Sequence, residues 1–141
     1  MSLIIASTSF ALTPIEKAKV TLSQKFKNAD DFEWEEEESG DFVAIYLGDG
    51  DEFIEVIFDE GGHWLQSTFE MDFADLPKEI KLVLRKEYNT APEQANMVLH
   101  LDTRFGDRYI IEFDTNEEVV SVAYDKYGRL VEKSVVPHLK E

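Results

Sequence analysis

The chain has 141 residues, 30 of them acidic and 14 basic for a formal charge of −16, with 43% hydrophobic residues, 12% aromatic residues and no cysteine. That composition describes one globular domain or two intimately packed halves rather than a disordered chain, and it rules out disulfides, thiol catalysis and Cys-ligated zinc. The charge repels nucleic acid, whose binding rests on lysine and arginine neutralising phosphates, and argues against anionic lipid; it draws cationic partners or divalent metal, or simply keeps the protein dispersed.

The opening stretch Leu3-Ile4-Ile5-Ala6-Ser7-Thr8-Ser9-Phe10-Ala11 is apolar and rich in small residues. Its close, Ser9-Phe10-Ala11, looks like the end of a cleavable export signal. Residues 1–12 are therefore expected to be a signal remnant or a disordered lead-in, and the protein to be periplasmic or secreted. No later run approaches the ~18 apolar residues of a membrane span, so no membrane insertion is expected.

A first helix is signposted by Thr13 as cap, Pro14 at the first helical position and Glu16 three residues after the cap. Ile15, Ala18, Leu22 and Phe26 form its apolar stripe, and it should fail near Asn28-Ala29-Asp30-Asp31. Four strand-like runs follow: Phe32–Glu38, Phe42–Gly48, Glu52–Asp59 and His63–Met71. Short turns separate them (Ser39-Gly40-Asp41, Gly48-Asp49-Gly50-Asp51 and Glu60-Gly61-Gly62), which suits antiparallel hairpins. A second helix opens around Asp75-Leu76-Pro77, buries Ile80, Val83, Leu84 and Tyr88, and stops at Ala91-Pro92. Four more runs complete the chain: Asn96–Thr103, Asp107–Asp114, Glu117–Asp125 and Arg129–Val136.

The second half echoes the first at an offset of 66 residues, which carries Gly40 to Gly106, Asp41 to Asp107, Ile45 to Ile111, Glu52 to Glu118, Val56 to Val122, Asp59 to Asp125 and Gly62 to Gly128. A repeat that cannot cover its own apolar face is completed by its copy. The predicted fold class is α+β: a tandem repeat of helix plus four-stranded antiparallel meander, residues 13–74 and 75–141. The two sheets are expected to join into one curved surface with both helices on one face, as a single domain.

Alternation separates the faces. Val43, Ile45 and Leu47 are expected to join Ile54, Val56 and Phe58 beneath the helices, as Tyr109, Ile111 and Phe113 join Val120, Val122 and Tyr124. The outer face of the first half then presents Phe42, Tyr46, Phe53, Ile57 and Trp64, a candidate partner-binding surface unless those rings cover one another or a loop packs on them. The first strand does not phase with its counterpart: Phe32 and Trp34 take even positions, Leu99 and Leu101 odd ones.

Catalytic patterns are missing. His63, His100 and His138 stand without ligand spacing, Gly48-Asp49-Gly50-Asp51 lies between strands rather than before a helix, and no Gly-x-Ser-x-Gly occurs. No reaction is expected. Calcium is the one metal to weigh, through Asp49, Asp51 and Glu52 in one tight turn, with Glu35 and Glu37 passing nearby; the plain alternative is a solvated acidic turn.

A Pro-started helix, Trp34-Glu35 in an opening strand, Phe58-Asp59-Glu60-Gly61-Gly62-His63-Trp64-Leu65, and Asp75-Leu76-Pro77 opening a second helix together resemble the PepSY-like family of small exported bacterial proteins. Tyr124-Asp125-Lys126-Tyr127-Gly128-Arg129-Leu130 follows the same line, and the likeness covers nearly everything after Leu12. The second copy departs from it with His100 where Trp34 stands and Leu130 where Trp64 stands. The family is similar in fold to the beta-lactamase inhibitory protein. The resemblance implies a non-enzymatic periplasmic or secreted module that binds or inhibits another protein, with calcium regulation in some relatives. Two functions are expected: docking of another protein on the outer sheet face, a basic one where the acidic charge steers it, or alternatively sensing of a divalent cation.

Overall fold

The computed structural model describes residues 11–50, 52–89 and 95–138. Helix α1 (Pro14–Lys25) begins where the capping pattern puts it. The Oγ1 of Thr13 accepts from the Glu16 N–H at 3.3 Å and donates to the Glu16 carboxylate at 2.8 Å. The helix buries Ala18 and Leu22, and a 3-10 turn at Ala29–Asp31 fills the segment expected to end it. Helix α2 (Lys78–Tyr88) follows a 3-10 turn at Phe73–Asp75 and buries Ile80 and Leu84. It closes on Asn89 in the left-handed region at φ 49°, which asparagine tolerates at a helix end. The Ala91-Pro92 stop lies outside the described residues.

Four strands precede α2: β1 (Glu33–Glu36), β2 (Phe42–Leu47), β3 (Phe53–Phe58) and β4 (Trp64–Glu70). Four follow it: β5 (Ala95–Thr103), β6 (Gly106–Asp114), β7 (Glu118–Tyr124) and β8 (Leu130–Pro137). They form one antiparallel sheet in chain order. β4 pairs with β5, Phe69 opposite His100, so the sheet is continuous and open, with β1 and β8 as its edges.

Cross-strand partners share a face. One row runs Tyr46, Ile54, Phe69, His100, Tyr109, Tyr124 across the sheet. Both helices pack on the face that carries this row. Ala18 and Leu22 of α1 meet Ala44, Ile54, Val56 and Phe58, while Ile80 and Leu84 of α2 meet Val98, Ile111, Phe113, Val122 and Tyr124. A fully buried side chain of this size stabilises by about 1.5–3 kcal/mol, so these two clusters are the main apolar force holding the helices down.

The register corrects the expected faces of β2. Val43, Ile45 and Leu47 stand opposite Ile57, Glu55 and Phe53, on the face without helices. Phe42 and Tyr46 pack instead against the cluster under α1, beside Ala44, and so does Trp64. One residue causes the exchange. The β2–β3 hairpin closes Gly48 onto Glu52 around a three-residue loop, whereas β6–β7 closes Thr115 onto Glu118 around two. Val56 and Val122 stand 66 residues apart, but the residues opposite them, Ala44 and Ile111, stand 67 apart. Because strand side chains alternate, a slip of one residue exchanges the faces. On the same argument the counterpart of Trp34 (opposite Ala44) is Val98 (opposite Ile111), not His100.

The last hairpin of each half is built alike. Asp59 Oδ1 accepts from the Gly61 and His63 N–H groups, and Asp125 Oδ1 from those of Tyr127 and Arg129. Gly62 (φ 84°) and Gly128 (φ 81°) then turn the chain beneath the first turns of α1 and α2, against Pro14 and Glu79. Leaving the hairpins, β4 and β8 each carry a bulge, at Leu65 and Val131.

Candidate functional site

The face without helices is the candidate docking surface. Its rows hold Val43, Ile45 and Leu47 on β2, Phe53 and Ile57 on β3, Leu99 and Leu101 on β5, and Ile110, Val119 and Ala123 on β6 and β7. Val43 is buried, most of the others are half-buried, and Leu47 at the rim is 74% exposed. Of the five residues expected on the outer face, the structure puts Phe53 and Ile57 there and takes Phe42, Tyr46 and Trp64 to the helix side. Trp64 is held by its indole N–H donating to Ser67 Oγ at 2.9 Å and by Lys25 Nζ lying 4.0 Å over its ring.

A groove of the open face lies in the second half. About 430 Å³ in volume, it runs over Leu101, Ile110, Ala123 and Val131, bounded by Leu65, Gln66 and Glu132, with Arg104, Phe105 and Arg108 at the end nearest the β5–β6 turn. That turn is tightly made. Thr103 Oγ1 donates to the Gly106 carbonyl at 2.7 Å and accepts from the Phe105 N–H at 3.1 Å, and Gly106 sits at φ 111°. Arg104 and Phe105 are thereby presented at the tip, and Phe105 is 86% exposed.

Charge is unevenly spread. Between Asn28 and Pro77 the sequence has 17 carboxylates and no lysine or arginine. The open-face strands of the first half accordingly carry Glu33, Glu35, Glu55 and Glu70, while Arg104 and Arg108 belong to the second half. Sequence reasoning missed this polarity, although the bare run of 50 residues without a cation is visible in the sequence.

The titratable groups sort into separate local contacts. Asp59 is held below its ordinary range chiefly by the His63 backbone N–H, with burial opposing. For Asp125, burial pulls upward, but the backbone and side chain of Arg129 and the Tyr127 N–H outweigh it and lower the carboxyl. Burial raises Tyr124, whose hydroxyl has no hydrogen-bond partner among the described residues, and burial with the nearby Asp107 charge raises Tyr109. His63 lies 3.1 Å from Asp59, His100 2.9 Å from Asp107 and stacked on Tyr109, and His138 3.1 Å from the Thr115 carbonyl. The three rings do not converge.

No group of three or more histidine, aspartate or glutamate side chains among the described residues is placed to hold a metal ion. Asp51 lies outside those residues. Glu35 and Glu37 do not pass the Asp49 turn: Glu35 pairs with Val43 and Glu37 with Asp41, at the opposite end of β2. No helix among the described residues is long and apolar enough to cross a membrane.

No protein-family model matches the chain, and no curated protein matches it in sequence. Solved structures do match in fold. A BLIP-like protein from Bacteroides fragilis superposes with a TM-score of 0.73 at 20% identity, covering 94% of this chain and 93% of that one. A DUF2874 family protein from Bacteroides ovatus gives 0.72 at 15% identity, with 89% of each chain covered. A protein from Bacteroides eggerthii, provisionally described as periplasmic, gives 0.72 at 12% identity over 89% and 90%. The chain has the BLIP-like fold.

Proposed function

We propose that this protein is a non-enzymatic, exported module of the PepSY-like kind that docks another protein on the open face of its sheet. On this view residues 13–74 and 75–141 are two copies of one unit, each offering the partner four strands. The observation that carries the proposal is a face that no helix among the described residues covers, with Leu47, Phe53 and Ile57 as its apolar side chains in the first half and Leu101 and Ile110 in the second, on either side of Gln66, Thr68 and Glu70 of β4. Packed sheets ordinarily bury such a surface, and a large exposed apolar area on a monomer marks an interaction site. The acidic first half steers the basic side of a partner toward the face, an effect that weakens with salt. The fold shared with a BLIP-like protein and with a protein provisionally described as periplasmic supports both the binding role and the exported location.

The test is capture from an extract of the source cells with the wild-type chain and with Ile57→Glu/Leu101→Glu, whose charges fall on the open face without touching the helix-side clusters. Circular dichroism establishes that the variant is folded. A partner held by the wild type and lost by the folded variant is the expected outcome. The same captured proteins from both chains would remove the proposal.

A further inference from the structure

The groove over Leu101, Ile110, Ala123 and Val131 has a chemistry of its own. Acids outnumber bases by 30 to 14 in the chain, yet neither Arg104 nor Arg108 pairs with a carboxylate among the described residues. Arg108 donates one Nη1–H to the Asp107 carbonyl at 2.9 Å, and the Arg104 side chain makes no hydrogen bond among the described residues. The one acid beside the groove is Glu132, opposite Ala123 on β8. It stands two strand spacings from β6, roughly 10 Å across the sheet, and in the row of Ile110 rather than that of Arg108. Asp125, which lines a neighbouring cavity with Arg108, gives its carboxylate to Arg129 and to the Tyr127 and Arg129 N–H groups. The groove thus has an apolar floor, and at the turn end two guanidinium groups that make no ion pair among the described residues.

We infer that the groove receives the carboxyl-terminal end of a partner polypeptide whose last side chain is apolar, the side chain lying on Leu101 and Ile110 and the terminal carboxylate meeting Arg104 and Arg108. This rests on the docking proposal and names one contact of the same face. A chain terminus fits because its carboxylate and its last side chain spring from one carbon, matching a site where floor and cations adjoin. Arg104 and Phe105 of the β5–β6 turn line the same end of the groove as Arg108, so the cations gather at one end of the apolar floor, as a single terminal carboxylate requires. The groove is open along the face, which suits the tip of a larger molecule over a free amphiphile, since small-molecule sites bury most of their ligand. Guanidinium–carboxylate bonds are short, directional and stronger than neutral ones, and screening beyond about 8 Å at physiological ionic strength keeps the distant acidic half from cancelling them.

The experiment is a titration of the full-length, 15N-labelled chain with an N-acetylated pentapeptide ending in leucine, as free acid and as carboxyl amide, with decanoate as a third probe. The free acid is expected to give saturable shifts at Leu101, Ile110, Val131 and the β5–β6 turn, and the amide to bind at least about tenfold more weakly, the effect of losing a charged hydrogen-bond acceptor. Arg104→Gln/Arg108→Gln should bring the acid down to the level of the amide and leave the amide unchanged. Equal binding of acid and amide, unchanged binding of the acid by the arginine variant, or no saturable shift with either peptide would overturn the inference. Saturation by decanoate without saturation by the peptide would also overturn it, making the occupant a fatty acid. These failures leave the docking proposal standing if capture is still lost in Ile57→Glu/Leu101→Glu; if that variant captures as the wild type does, the docking proposal itself falls.

Discussion

Gly62 and Gly128 occupy matching turns, yet their replacement by alanine should differ in cost. Both have φ near 80°, where a side chain costs about 1–2 kcal/mol through the clash of Cβ with the following carbonyl. The surroundings are unequal. A Cβ on Gly128 would meet the Glu79 carbonyl oxygen at 3.1 Å and its carbon at 3.2 Å, a tight contact that a shift of a few tenths of an ångström relieves. On Gly62 it would overlap the Pro14 carbonyl oxygen outright and lie 3.1 Å from Lys17 Cβ as well. The first turn of α1 must then lift, adding an overpacking cost of about 1–3 kcal/mol. Expected losses are about 2–5 kcal/mol for Gly62→Ala and about 1–2 kcal/mol for Gly128→Ala. Urea unfolding followed by tryptophan fluorescence measures both, and amide exchange across Pro14–Lys25 shows whether α1 has loosened. A loss for Gly128→Ala equal to or larger than that for Gly62→Ala would refute the claim that the seat of α1 is the tighter of the two.

Tyr124→Phe should raise stability by about 1 kcal/mol, because it deletes a buried hydroxyl that has no partner among the described residues while keeping the ring, and a lower unfolding midpoint would count against it. Trp64→Ala should cost about 2–3 kcal/mol through lost packing under α1 and leave docking intact wherever the fold survives; loss of capture at full stability would return Trp64 to the binding face. Asp59 and Asp125 are both lowered in the folded state, so each adds stability that is full above the unfolded carboxyl pKa and drains away as pH falls through the folded value. Asp59→Asn/Asp125→Asn should accordingly flatten the acid limb of the stability–pH curve, whereas an unchanged limb would show that these carboxylates do not drive acid unfolding.

Much of the fold was legible in the chain. The capping pattern Thr13-Pro14-x-Glu16, the turn glycines and the alternating runs placed both helices and all eight strands within a few residues, since each signal is local. What failed was the sorting of faces, because that depends on the length of a single turn. The extra residue in the Gly48–Glu52 hairpin leaves every local preference of β2 intact while turning Val43, Ile45 and Leu47 outward. Both faces of β2 are apolar, so composition offered no arbitration. The groove was hidden for another reason: Leu101, Ile110 and Val131 come from three strands and Arg104 from a turn, and only pairing brings them together. The cation-free run from Asn28 to Pro77, by contrast, stood in plain view, with Arg104 and Arg108 well beyond it.

The two rims of the sheet are unlike. β1 is four residues long and carries Glu33, Glu35 and Glu36, so a like strand laid beside it meets concentrated negative charge. β8 runs eight residues, every one exposed, with Val131, Val135 and Val136 along it, and no strand among the described residues pairs with its outer edge. Lateral growth is therefore one-sided. Two copies joined β8 to β8 would present only glutamate-lined borders to a third, so association through the rims terminates at a pair instead of running on into a fibre.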